Sequence, residues 1–140
     1  MTVENVDLLV VGAGPAGAAA ARRASSSGLK TLLIERKPQV GVPVRCGEYV
    51  PKAIFRELDL LPESLVREVD SMVLHLPSGQ MRAINAPGAI IDRARFDQHL
   101  AIEAVDAGAV SRTSHALVAL GKRGLATIRS ATGTTEVRTQ

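Results

Sequence analysis

Aromatic residues are nearly missing: the chain has no tryptophan, one tyrosine and two phenylalanines. It therefore offers no platform of rings on which nucleic-acid bases stack. Its basic residues are dispersed, and a net charge of +3 is mild, so the basic stripe that tracks a phosphate backbone is lacking and no nucleic-acid partner is expected. A single cysteine, Cys46, excludes an internal disulfide and fits a reducing, cytoplasmic setting. No apolar run approaches the roughly 18 residues of a membrane-spanning helix. The N-terminus enters an apolar segment almost at once, which leaves no room for a signal peptide. His75, His99 and His115 are scattered, without metal-ligand spacing, so no metal site is expected. A length of 140 residues suits one domain.

What is present is concentrated in the first thirty-five residues. Leu8–Val11 is a continuous apolar run, as a strand covered on both faces requires. It is followed by Gly12-Ala-Gly-Pro-Ala-Gly17, an alanine-rich segment, and a second apolar run ending in Glu35. Strand, glycine turn, helix, strand and terminal acid, in this order, form the layout of a βαβ dinucleotide-binding unit. Gly12 permits the tight turn, Gly14 lets a pyrophosphate approach the backbone, and Gly17 lets the helix pack on the sheet. The helix opening near Pro15 points free N–H groups and its positive end at the phosphates. Glu35 lies 23 residues after Gly12, where a carboxylate accepts hydrogen bonds from the adenosine ribose and disfavours a 2′-phosphate. FAD and NAD both fit this pattern, and NADP does not.

The remaining elements follow from pattern and punctuation. The first helix is expected over 15–27, ended by Gly28, and the second strand over 31–35. Residues 36–47 form a loop broken by Pro38, Gly41 and Pro43, and Pro51 opens a short helix reaching 58 or 61. Segments 71–76 and 80–85 flank Pro77-Ser-Gly79 as a hairpin, with a further short strand over 89–91. Asp92 caps a helix running to about Ala107, with Phe96, Leu100, Ala104 and Ala107 as its apolar stripe. A strand near Val110 and a β-meander over 116–120, 125–129 and 135–138 complete the chain.

A second motif narrows the reading. Gly41-Val-Pro-Val-Arg-Cys-Gly-Glu-Tyr-Val-Pro51, together with the glycine fingerprint and Ile91-Asp-Arg-Ala-Arg-Phe-Asp97, resembles the geranylgeranyl reductase family of flavoproteins. Within it the likeness is to the digeranylgeranylglycerophospholipid reductases. The resemblance spans nearly the whole chain and implies an α/β, Rossmann-like FAD/NAD(P)-binding domain with a β-meander, of the p-hydroxybenzoate hydroxylase type. Gly12, Gly14, Ala16, Gly17 and Ala18 would lie along the pyrophosphate, and Glu35 on the ribose. Cys46, Gly47 and Tyr49 fall on the family's Arg-Cys-Ala-Glu-Gly segment beside the flavin, where Gly47 replaces the usual Ala and Tyr49 the usual Gly. Arg93 matches a flavin-contacting arginine, able to pair with phosphate or with Asp97 one turn on. Cys46 is the one candidate for a chemically essential side chain, against its reading as an inert small hydrophobe. Glu48 has no role assigned by the sequence.

The family also implies sequence that does not occur here. Its members continue from the meander into an Asp-Gly segment and a Gly-Asp motif, and neither dipeptide is present. The expectation is an N-terminal part of an FAD-binding domain, incomplete at the C-terminus, with residues 66–91 belonging to a substrate-domain sheet and with weak or absent FAD retention. The implied activity is reduction of isoprenoid double bonds of a prenyl lipid by hydride from reduced flavin, with NAD(P)H or another reductant as electron donor. An FAD-dependent aromatic monooxygenase and an inactive nucleotide-binding fragment are the alternatives. The implied setting is the cytoplasm; peripheral contact with the inner membrane face and the oligomeric state stay open.

Overall fold

A computed structural model describes residues 3–56 and 62–139 of an α/β protein. The chain divides into two compact units, Met1–Pro43 with Asp97–Gln140, and Val44–Phe96. Each is described by itself.

The first unit holds two sheets. In the parallel sheet, β3 (Thr31–Ile34) lies between β2 (Leu8–Val11) and β7 (Val110–Arg112). Between β2 and β3 runs helix α1 (Pro15–Ser26). All four residues of β3 are buried, and its alternating side chains explain why. Leu33 packs with Ala13, Ala21, Ala101, Ala104 and Ala109. Leu32 and Ile34 face the other way, onto Val6, Ile128 and Val137. The small alanines let helices lie close on one face of the sheet, and branched side chains of the meander fill the other. That meander is β8 (Ala116–Leu120), β9 (Leu125–Ser130) and β10 (Gly133–Thr139). It is joined by β1 (Val3–Val6), which pairs in parallel with β10 and which the sequence pattern did not separate from β2. A two-pronged ion pair, Arg112 Nη1 and Nη2 on Glu4 at 2.7 and 3.0 Å, ties β7 to β1.

One expectation is corrected here. Leu8–Val11 is only half buried, with Val11 53% exposed. Among the described residues β2 pairs with β3 alone, so it flanks its sheet and lacks cover on its outer side. Both faces of β2 are nonetheless in contact, Val10 with the Leu33 cluster and Leu9 with the Leu32 cluster; the strand buried at every residue is β3.

The second unit is an antiparallel sheet in which β6 (Met81–Ile91) lies between β4 (Tyr49–Pro51) and β5 (Leu65–His75). The hairpin turn falls at Pro77-Ser-Gly79 as the sequence indicates, closed by Gly79 N–H donating to Leu76 O at 2.9 Å. Residues 89–91 are not a separate strand but the end of β6, which pairs with β5 across two irregularities near Val66 and Asp70. The helix expected after Pro51 is a 3-10 turn over Lys52–Arg56; its continuation to 58 or 61 lies outside the described residues. Helix α2 (Arg93–Asp106) begins in this unit and continues in the first. Asp92 caps it, its Oδ1 accepting from Arg95 N–H at 3.0 Å. Phe96, Leu100 and Ala104 form its buried stripe, and Gly108, at φ +105°, stands just past its end.

Candidate functional site

The turn between β2 and α1 has the backbone that a phosphate needs. Gly12 sits at φ +102°, a conformation that side chains resist, and its N–H donates to Ile34 O at 2.7 Å. A Cβ on Gly17 would collide with the Gly12 carbonyl, so only glycine lets α1 approach this closely. Gly14 is the residue before the helix; nothing stands within 4 Å of where its Cβ would be, and no side chain caps the helix. The first turn carries no acidic residue. Open space, an uncapped positive helix end and the absence of a repelling carboxylate all suit a pyrophosphate. Ala16 is exposed at this end, whereas Ala18 is fully buried and its N–H donates to Gly14 O at 2.9 Å.

Glu35 follows β3 and is held firmly. One carboxylate oxygen accepts from Ala13 N–H and the other from Lys37 N–H, each at 3.0 Å. The side chain thereby staples the glycine turn to the end of β3, and the spare lone pairs of its oxygens can still accept a hydroxyl. Beside it opens a cleft of about 340 Å³ lined by Gly12, Glu35, Arg36, His115 and Leu117. His115, one of the three histidines without metal-ligand spacing, has its ring Nδ1 2.6 Å from Thr113 O. Its backbone N–H nonetheless donates to Glu35 O at 2.9 Å, which brings it to the wall of this cleft. Nothing in linear spacing signals that, because residues 35 and 115 meet only through the parallel pairing of β3 with β7.

The second unit gathers Cys46, Glu48, Tyr49 and Arg93. Arg93 Nη1 donates to Cys46 Sγ at 3.0 Å, and Glu48 N–H donates to the same sulfur at 3.3 Å. The Glu48 carboxylate accepts from Arg93 N–H at 3.2 Å. Gly47 is exposed, with nothing within 4 Å of its Cβ position. The Tyr49 ring lies over Gly88, where any side chain would strike it, and its hydroxyl donates to Ala86 O at 3.2 Å. Of the ten residues singled out by sequence, six therefore collect in the first unit and four in the second.

Comparisons with known proteins bear on the family and the fold. A family model described as lycopene cyclase protein matches residues 7–139. The digeranylgeranylglycerophospholipid reductase of Thermoplasma volcanium is 41% identical over 116 residues, 76% of this chain and 29% of that protein. The enzyme of the same name from Picrophilus torridus is 45% identical over 114 residues, 75% of this chain and 29% of that one. This chain thus spans less than a third of the length of these curated relatives. Among solved structures, a geranylgeranyl bacteriochlorophyll reductase-like protein from Thermoplasma acidophilum superposes with a TM-score of 0.88 at 36% identity, over 99% of this chain and 38% of that one. An anhydrotetracycline hydroxylase from Streptomyces rimosus reaches a TM-score of 0.77 at 22% identity, over 97% of this chain and 30% of that one, and shares the fold alone.

Proposed function

The chain belongs to the lycopene cyclase protein family, with geranylgeranyl reductases among its relatives, and from that premise we propose that it supplies the nucleotide-binding part of an FAD-dependent reductase of isoprenoid double bonds. The observation that carries the reading is the pairing of an uncapped, acid-free helix end with a stapled carboxylate at the next strand's end. Gly12, Gly14, Ala16 and Gly17 would line the FAD pyrophosphate, with Ala18 packed behind them, and Glu35 would accept from the adenosine ribose. The segment Cys46–Tyr49 and Arg93 would lie against the flavin.

When bound, the flavin would supply hydride to one carbon of a prenyl double bond, with a proton added at the other carbon. The part of this chain is to hold and to orient. Glu35 keeps the glycine turn in register with β3, so the phosphate-facing N–H groups are set before any ligand arrives. Arg93 places positive charge on the Cys46 sulfur, in the one loop where a thiol is exposed. NAD(P)H or another reductant is the proposed electron source, and a prenyl lipid the proposed substrate. Strands 66–91 are proposed to belong to the sheet that borders the substrate. Their exposed apolar side chains, Val66 at 65% and Met81 at 68% among them, support this assignment. No described helix is long and apolar enough to cross a membrane, and we place the protein in the cytoplasm, visiting the membrane face that presents its substrate.

The test is calorimetric titration of the 140-residue chain with FAD, ADP and FMN. FAD and ADP should bind, Glu35→Ala should weaken both about tenfold by removing a charge-assisted hydrogen bond, and FMN, which lacks the adenosine end, should bind far less. Binding of FMN as tight as FAD, or ADP binding unchanged in Glu35→Ala, would refute the assignment of Gly12–Glu35.

A further inference from the structure

Cys46 and Arg93 are 47 residues apart. Cys46 lies in residues 44–48, which carry no regular secondary structure, and Arg93 opens α2. Glu48 bonds to both. Its N–H donates to Cys46 Sγ, its Oε1 accepts from Arg93 N–H, and its carbonyl accepts from Ile91 N–H at 2.9 Å. One residue therefore fastens the loop to both sides of Asp92, at the junction of β6 and α2. It does so at φ +59°, a left-handed conformation unusual for a glutamate.

We infer that Glu48 is a positioning residue: by anchoring the first amide of α2 and the Cys46 loop together, it keeps the Arg93 guanidinium on the Cys46 sulfur. The importance of that contact rests on the reading that Cys46 and Arg93 face the flavin. The geometry itself can be tested without a cofactor, because Cys46 is the only thiol in the chain.

The probe is the ratio of alkylation rates with iodoacetate and iodoacetamide. Both lose iodide to the sulfur, but only the first carries negative charge, so the ratio reports a cation at the thiol. Arg93→Gln should lower the ratio about fivefold, the effect of one unit charge near 4 Å in water. Glu48→Gly removes the side-chain acceptor while suiting the left-handed backbone, so the loop conformation survives. Glu48→Gln keeps an acceptor. Both variants lack the carboxylate charge, and the difference between them isolates the anchor. Glu48→Gly should fall about fivefold below Glu48→Gln, to the level of Arg93→Gln. Equal ratios in the two Glu48 variants, or an unchanged ratio in Arg93→Gln, would overturn the inference. A change in thermal stability with no change in ratio would mark Glu48 as structural only. Alkylation of the same preparations with and without saturating FAD separates the readings: a Cys46 rate untouched by FAD would sink the flavin assignment and leave the charge-ratio result standing.

Discussion

Strand β3 and the β5–β6 hairpin are both built from apolar, strand-favouring residues, yet they lie at opposite ends of the burial scale. β3 has four residues and all are buried. β5 has eleven, and all but one are exposed. Length alone would rank them the other way, although Arg67, Glu68 and Asp70 make β5 more polar than β3. The difference lies in what covers each: β3 has alanine-faced helices on one side and the meander on the other, whereas β5 and the arm of β6 facing it near the turn are exposed, and burial returns only at the end of β6, at Ala89 and Ile91. A two-stranded ribbon hides its backbone groups but not its side chains. The hairpin's apolar surface is thus exposed where the first unit's is spent on its own core.

Substitutions can break this contrast. The largest loss should come from Leu33→Ala, a full truncation in the covered strand, which should cost about 2–5 kcal/mol in urea denaturation. Gly17→Val should follow at about 1–3 kcal/mol, since the new side chain strikes the Gly12 carbonyl and must push α1 off the sheet. Removing one fork of the Arg112–Glu4 pair with Glu4→Gln should cost about 1 kcal/mol, and less in high salt, because both side chains keep partial contact with water. The smallest effect belongs to Val73→Ala. This side chain is 53% exposed on the hairpin, and the change should stay within about 0.5 kcal/mol. If Val73→Ala were as damaging as Leu33→Ala, the hairpin would be covered in solution and the contrast would fail.

Much of the first unit was legible because its signals are local. Glycines at 12, 14 and 17, proline at 15 and an acid at 35 each act within a few residues, through backbone freedom, helix capping and strand termination. The meander was legible for the same reason, with turns at Gly121–Gly124 and Thr132-Gly133 dividing apolar runs. Legibility failed where pairing is between distant segments. β1 was not separated from β2 because its identity depends on β10, more than a hundred residues away. The full burial expected for Leu8–Val11 belongs to β3, since apolarity reports a preference for cover and not whether cover is supplied. Residues 71–76, 80–85 and 89–91 were read as fragments because the register shifts near Val66 and Asp70 interrupt the alternation that marks a long strand. Glu48 was legible only as a neighbour of Cys46: its bonds to Ile91 and Arg93 are assembled by the fold.

The amino-acid sequence by itself determined the class of the protein and the place where a phosphate would sit. Both depend on the intrinsic conformational range of a few glycines and on one carboxylate at a strand end. Only the tertiary structure decided which strand is covered, that Glu35 is bonded to Ala13 and Lys37, and that Glu48 joins Cys46 to Arg93. Hydrogen bonds and close packing act over a few ångströms, and the residues that side-chain hydrogen bonds join here are up to 108 positions apart along the chain, so the contacts exist only once the fold has closed that distance.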